Sequence, residues 1–354
     1  MKKLVIGSLW VVTIFMFCNY LMYGSVCHAQ DKGPLTIAVY GGEWGTSISN
    51  SMFKPFEEKF GVKIVPEPGV SQVTLSKLRQ QKENPLIDVA WMDSGISELA
   101  LNEGLIEPID AKKIPNLENI FKEAVYRNNI GEIFAVGGGY IAVGITFNSE
   151  KVKNKPTSWL DLWKKEYVGR VTAPSPGNAA GVPFLVLISE LKGGGIDNVA
   201  PGLDALKKLD VAAYYDTAGG ATNMFQSGEV IIGAHYSSSA WYMFDRKLPI
   251  GFVVPKEGVN AQDIRMHIIK GTKHRDLAEK FINLAVSAEA QKALAELLYV
   301  APVNKGVILS QKARDRMPYG PTGSIANLRF ADWQAINAKR AQLTELWNRE
   351  VGRK

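Results

Sequence analysis

Cysteine is almost absent from this 354-residue chain: there are two, Cys18 and Cys27, and both lie before Ala29. A product cut after Ala29 would therefore carry no disulfide and no thiolate metal site, and its stability must come from its core. Histidine is nearly as scarce, with four in all. His235, His267 and His274 lie beyond that cut without ligand spacing, so no metal centre is expected. Charge of one sign is not in excess either: 41 basic residues stand against 35 acidic, a net +6. Without Lys2 and Lys3, 39 stand against 35, a net +4, which is too mild to argue for nucleic acid as a partner. The chain has no G-x-S-x-G elbow and no H-E-x-x-H helix, and Gly137-Gly138-Gly139 alone does not make a nucleotide site. Neither catalysis nor a cofactor is expected.

Lys2 and Lys3 precede an apolar run over residues 4–18, and a polar stretch then leads to Cys27-His28-Ala29. Charge, apolar core and small residues in this order read as a secretory signal peptide over 1–29, which predicts export to the periplasm. The apolar run is shorter than the roughly 20 residues that span a bilayer. Gly24-Ser25-Val26 lacks the leucine that would begin a lipidation motif at Cys27. The remainder, about 325 residues, exceeds the size at which one hydrophobic core stops growing, so two lobes are expected.

Residues 35–40 alternate and are β-rich, and Gly41-Gly42 opens into a helix carrying Ile48, Met52, Phe53, Phe56 and Phe60 at helical spacing, closed by Gly61. Strands over 62–65 and 87–92, a helix over 75–81 and a helix capped by Ser94 follow. Such alternation predicts a parallel sheet with ligands at the carboxyl ends of its strands, in the loops 41–46, 70–72 and 93–95. The apolar, glycine-bearing stretch 133–147 is read as the first hinge strand. A second strand-helix set runs through a helix at 159–167, strand 170–173, a helix over 179–191 and strand 230–235, and 264–269 is the return crossing. Trp159, Leu162 and Trp163 are read as a core-facing stripe.

Particular phrases carry a family resemblance: Phe56-Glu57-Glu58-Lys59-Phe60-Gly61-Val62-Lys63, Glu103-Gly104-Leu105-Ile106 with Pro108-Ile109-Asp110, and Thr157-Ser158-Trp159-Leu160-Asp161-Leu162-Trp163. Gly228-Glu229-Val230, Pro255-Lys256-Glu257-Gly258 and Ala301-Pro302-Val303-Asn304 continue it over nearly the whole chain. With these the sequence resembles the extracellular solute-binding proteins of ABC importers, in the branch of the spermidine and putrescine binders. The resemblance implies an α/β fold of the type II periplasmic binding proteins: two doubly wound, Rossmann-like lobes joined by hinge crossings. It also implies closure on one solute and an ABC permease as partner. The expected division is 30–141 with 266–308 for the first lobe, 142–265 for the second, and C-terminal helices over 309–354 packing on both. A monomer is expected.

Carried over residue by residue, the polyamine site is incomplete. Pro174-Ser175-Pro176-Gly177-Asn178 stands where the resemblance implies acids, Tyr236 keeps an aromatic, and near Gln262 and Ile264 only Asp263, one place off, is acidic. An ammonium buried without carboxylates is costly. The candidate ligand residues are Gly42, Glu43 and Trp44 at the first strand-to-helix turn, Gln72, Asp93 and Ser94 in the next two loops, and Tyr140 on the hinge strand. In the second half they are Asn178 before an apolar helix whose N-terminus offers N–H groups, Thr217 opening a small-residue loop, and Tyr236, Ser237 and Trp241 after a strand end. Arg265, on the return crossing, has a fork suited to a carboxylate or phosphonate, with a solvated or lobe-bridging role as the alternative. One carboxylate facing one anion-binding wall predicts a zwitterionic or anionic solute, amino acid or aminophosphonate in kind. A polyamine is the alternative, and a ferric ion held by Tyr214-Tyr215 or an exported enzyme a lesser one.

Overall fold

The computed structural model describes residues 33–320, 325 and 328–352; the leader expected over 1–29 lies outside them. Strand β1 (Leu35–Val39) is buried along almost its whole length, as a strand covered by helices on both faces must be. Helix α1 (Gly42–Ile48) runs through a π turn over Ser49–Phe53 into α2 (Lys54–Phe60), presenting Ile48, Met52, Phe53 and Phe56 to the core. Gly61 ends it with φ +66, a left-handed position that strains any residue with a Cβ. Strand β2 (Ile64–Pro68) starts two residues later than expected, and α3 (Ser71–Gln80) four earlier. After β3 (Val89–Asp93), the cap of α4 (Ile96–Asn102) is Gly95 rather than Ser94, because the Glu98 carboxylate reaches back to accept the Gly95 N–H at 2.5 Å. Short strands β4 (Ile106–Glu107) and β5 (Val125–Arg127) lead to β6 (Ile133–Asn148), 16 residues and all of them buried.

The expected helix over 159–167 is instead two 3-10 turns, Trp159–Trp163 and Lys165–Tyr167, broken by extended backbone at Lys164. Trp159 and Leu162, three apart, share a face in either helix type and are buried, whereas Trp163, which only α-helical spacing puts on that face, is half-buried. Trp159 is fully buried, donates its Nε1–H to the Gly258 carbonyl at 2.9 Å and meets Phe184 edge-on at 5.4 Å. Strand β7 (Val171–Pro174), α5 (Gly181–Leu191), α6 (Ala200–Lys208), β8 (Val211–Tyr215), α7 (Ala218–Ser227), β9 (Ile232–Tyr236), α8 (Ser237–Asp245) and β10 (Ile250–Val253) complete the second lobe.

Strand β11 (Asn260–Ile269) pairs with β6 from Ala261 onward and with β3 from Ile264. The chain therefore meets β3 of the first lobe at Ile264, where the expected return crossing over 264–269 begins. Helices α9 (Arg275–Ala285), α10 (Ala288–Leu298) and α11 (Gln311–Asp315), strand β12 (Arg329–Phe330) and α12 (Trp333–Glu350) follow. Asn337 of α12 donates to the Gly95 carbonyl at 2.7 Å, and Trp347 packs edge-on to Tyr214 at 5.0 Å, so this helix touches both lobes.

Among the described residues the strands run β2-β1-β3-β11-β6-β9-β7-β8. Strands β1, β2 and β3 are mutually parallel, as are β7, β8 and β9. The pivot is β6: its first half, Val136 to Ala142, pairs with β11, and its second, Val143 to Phe147, with β9. At Gly139 a Cβ would lie 2.2 Å from Val300 Cγ1, and the β6–β11 register slips alongside it. Only glycine allows that close approach while the strand bends.

Candidate ligand cleft

The carboxyl ends of β1, β2 and β3 and of β7, β8 and β9 open on one cavity of about 460 Å³, the position that parallel sheets reserve for ligands. From the first lobe come Tyr40 to Trp44, Pro68 to Val70, Gln72, Val73 and Asp93; from the second, Asn178, Ala179, Thr217 to Gly219 and Tyr236. Ile141 and Ile264 lie on the two strands that carry the chain between the lobes. No Lys, Arg or His occurs among the described residues lining it.

Asp93 ends β3 and is only 9% exposed. Tyr40 OH donates to its Oδ1 at 3.1 Å and Ser71 Oγ–H to its Oδ2 at 2.6 Å. Burial pushes its carboxyl up to about 6, against the partial relief of those two hydrogen bonds. Gly42 holds φ +63 at the turn that brings Glu43 and Trp44 to the cleft, and Trp44 packs edge-on to Tyr40 at 5.5 Å. Ser239, from α8, donates to Glu43 Oε1 at 3.0 Å and so joins the two lobes across the cleft.

On the opposite wall Tyr236 OH donates to Asn178 Oδ1 at 2.6 Å, and Asn178 Nδ2 donates to the Asp216 carbonyl at 3.1 Å. Asn178 Oδ1 also accepts the Ala180 N–H, and its carbonyl the Gly181 N–H, so the loop before α5 uses its own donors. The N-terminus of α7 differs. Thr217 caps it through the Gly220 N–H, its carbonyl takes the Ala221 N–H, and Ala218 and Gly219 at the very start face the cavity.

Of the residues expected from sequence, Gly42, Glu43, Trp44, Gln72, Asp93, Asn178, Thr217 and Tyr236 meet at this cleft. Five do not line it. Arg265 points away from it: its neighbour Ile264 lines the cleft, and strand alternation sends the next side chain to the other face. There Arg265 pairs with Asp263 at 2.5 Å and Glu98 at 2.6 Å, with its guanidinium 3.7 Å over the Tyr126 ring. Burial opposes its charge, but Asp263 and Glu98 outweigh that and raise its affinity for the proton; in return Arg265 holds Asp263 below the usual carboxylate range despite burial. An arginine so neutralised has no fork left for an anionic solute. Ser94 is fully buried and donates its N–H to the Asp263 carbonyl; Tyr140 is buried against Tyr126 and Phe330. Ser237 Oγ accepts the Ala142 N–H at 3.4 Å, and Trp241 packs on Phe244 and Phe252 under the Arg316 guanidinium.

Tyr40 was not anticipated, and Ser71, inside the expected 70–72 loop, was not singled out. Tyr40 directly precedes the Gly41-Gly42 turn, and Ser71 directly precedes Gln72, but only the fold brings them to Asp93. The tyrosine pair considered for ferric iron lies outside the cleft lining, with Tyr214 OH bonded to the Leu206 carbonyl and Tyr215 OH to that of Ala234. His235 is fully buried with Nε2 3.2 Å from Thr222 Oγ1, and it too is absent from the lining.

Known proteins share this architecture. The chain is similar to the spermidine/putrescine-binding periplasmic protein of Escherichia coli K12, at 26% identity with 88% of this chain and 89% of that protein covered. It is similar also to the gamma-aminobutyric acid-binding protein of Pseudomonas aeruginosa, at 22% identity over 90% and 89%. A crystal structure of an ABC transporter from Clostridium perfringens superposes with a TM-score of 0.68 at 25% identity, covering 90% of this chain and 99% of that one. Among the described residues no helix is long and apolar enough to cross a membrane. Residues 84–339 match the model of the bacterial extracellular solute-binding proteins, and the chain belongs to that family.

Proposed function

We propose that this protein is the solute-capturing component of an ABC importer. Outside the cytoplasmic membrane it closes as a monomer on one small amine-bearing solute, and it hands that solute unchanged to a permease. The composition of the cleft carries the reading: Asp93 and Glu43 face a cavity lined by Tyr40, Trp44 and Tyr236, with no basic side chain among its described lining residues. An ammonium group placed there is stabilised by a carboxylate whose position Tyr40 and Ser71 fix, and by aromatic faces.

The acids belong to the first lobe. The second lobe offers the N–H groups at the start of α7 and the polar ends of Asn178, Thr217 and Tyr236. A solute with an amine at one end and a carboxylate or similar acceptor at the other suits both walls, and the name of the gamma-aminobutyric acid-binding relative is consistent with it. The second reading, a polyamine, is favoured by the absence of lining cations and by the names of the spermidine/putrescine relatives.

A thermal-shift panel of 4-aminobutyrate, putrescine, spermidine and a neutral sugar separates these readings. The zwitterion is expected to raise Tm by mass action, roughly 2.7 kcal/mol of stability at a hundredfold excess over its Kd. A response confined to the diamine and triamine would select the polyamine reading, and a response confined to the sugar would refute both.

A further inference from the structure

Gln72 is the second residue of α3, next to Ser71, whose hydroxyl holds Asp93. Its backbone carbonyl accepts the Ser76 hydroxyl at 3.0 Å. Its side chain is another matter: Nε2 and Oε1 are both buried, and neither meets a hydrogen-bond partner among the described residues. Gln291 shows what a structural glutamine looks like in this fold. There Nε2 donates to the carbonyls of Gly138 and Ala285, and Oε1 accepts the Val303 N–H at 2.9 Å. Gln72 has none of these and lines the ligand cleft between apolar Val70 and Val73. A buried amide left unpaired destabilises a fold through both of its polar atoms, so packing alone does not account for glutamine here.

We propose that Gln72 is a specificity-determining residue. Its carboxamide hydrogen-bonds the bound solute beside the amine that Asp93 receives, with Oε1 accepting and Nε2 donating. The site then selects solutes that carry an oxygen close to their amine over simple alkylamines of the same length. The inference rests on the amine reading of the cleft. Its physical basis is asymmetric discrimination: a site built to pair a polar group disfavours an analogue that lacks it far more than an apolar pocket can.

The test compares wild type with Gln72→Met, an unbranched apolar replacement, by calorimetric titration with 4-aminobutyrate and 4-amino-3-hydroxybutyrate, which differ by one hydroxyl beside the amine-bearing carbon. Wild type is expected to bind the hydroxylated compound about tenfold more tightly, and the variant to lose that preference. No preference in wild type, or the same preference in both proteins, overturns the proposal. If neither compound binds wild type, it is the zwitterion reading that fails, and ligand-free melting decides the role of Gln72. Relief of an unpaired amide raises Tm of Gln72→Met by about 2 °C, whereas an unchanged or lowered Tm overturns the proposal.

Discussion

Asp93→Asn separates stability from binding at a single atom pair. In the ligand-free protein the Asp93 carboxyl sits at about 6, raised from 3.8 by burial. At about 1.36 kcal/mol for each pH unit, holding it ionised at pH 7.5 costs the folded state on the order of 3 kcal/mol. The sign follows from the direction of the shift. A raised folded value means the cost is absent below the unfolded value near 3.8, grows between 3.8 and 6, and is complete above 6. Asparagine keeps the shape, still accepts from Tyr40 or Ser71, and carries no charge. The substitution is therefore expected to stabilise the ligand-free protein by about 1–3 kcal/mol in urea denaturation at pH 7.5, and by nothing measurable at pH 4. It should also lower affinity for an amine ligand about 10- to 150-fold, the worth of one charge-assisted hydrogen bond. A ligand-free variant less stable than wild type at pH 7.5, or one that binds the amine as wild type does, would refute the reasoning.

Other perturbations read other parts of the account. Arg265→Met leaves Asp263 and Glu98 without their cation and should destabilise the fold by about 3–5 kcal/mol in urea, while Kd in the folded fraction stays within about threefold of wild type. Ser239→Ala removes the hydrogen bond to Glu43 across the cleft; ligand release measured by stopped flow should quicken about fivefold, with Tm nearly unchanged. Tyr236→Phe frees Asn178 on the second-lobe wall and is expected to weaken binding about tenfold at constant stoichiometry. Trp159→Ala empties a fully buried site between Phe184 and Gly258 and should cost about 3–5 kcal/mol of stability without altering Kd of the folded protein.

The strand that pairs with both lobes was legible because β6 combines a long apolar run with glycines, a pattern that neither a one-lobe strand nor a helix requires. Asp93 was legible by rule, since it ends a buried strand in a parallel sheet. Arg265 was misread although Asp263, two residues earlier on the same face of its strand, was in view; Glu98 lies 167 residues away, and the face on which a strand residue lands depends on register. Tyr40, and the role of Ser71 within the expected 70–72 loop, escaped because each meets Asp93 only once β1, α3 and β3 stand side by side. The 3-10 turns at Trp159 were hidden because Trp159 and Leu162, three apart, satisfy both helix types; their burial was readable, and Trp163 was placed on the same face by assuming α-helical spacing.

Calorimetric titration of the wild-type protein with 4-aminobutyrate at pH 7.5 and pH 5, with the solute recovered and identified by NMR, bears most directly on the central claim. The account predicts one site per chain, solute returned unchanged, and affinity about tenfold weaker at pH 5, where the Asp93 carboxyl, titrating at about 6, is mostly protonated. Binding that tightens at pH 5, or a solute that comes back chemically altered, would contradict it.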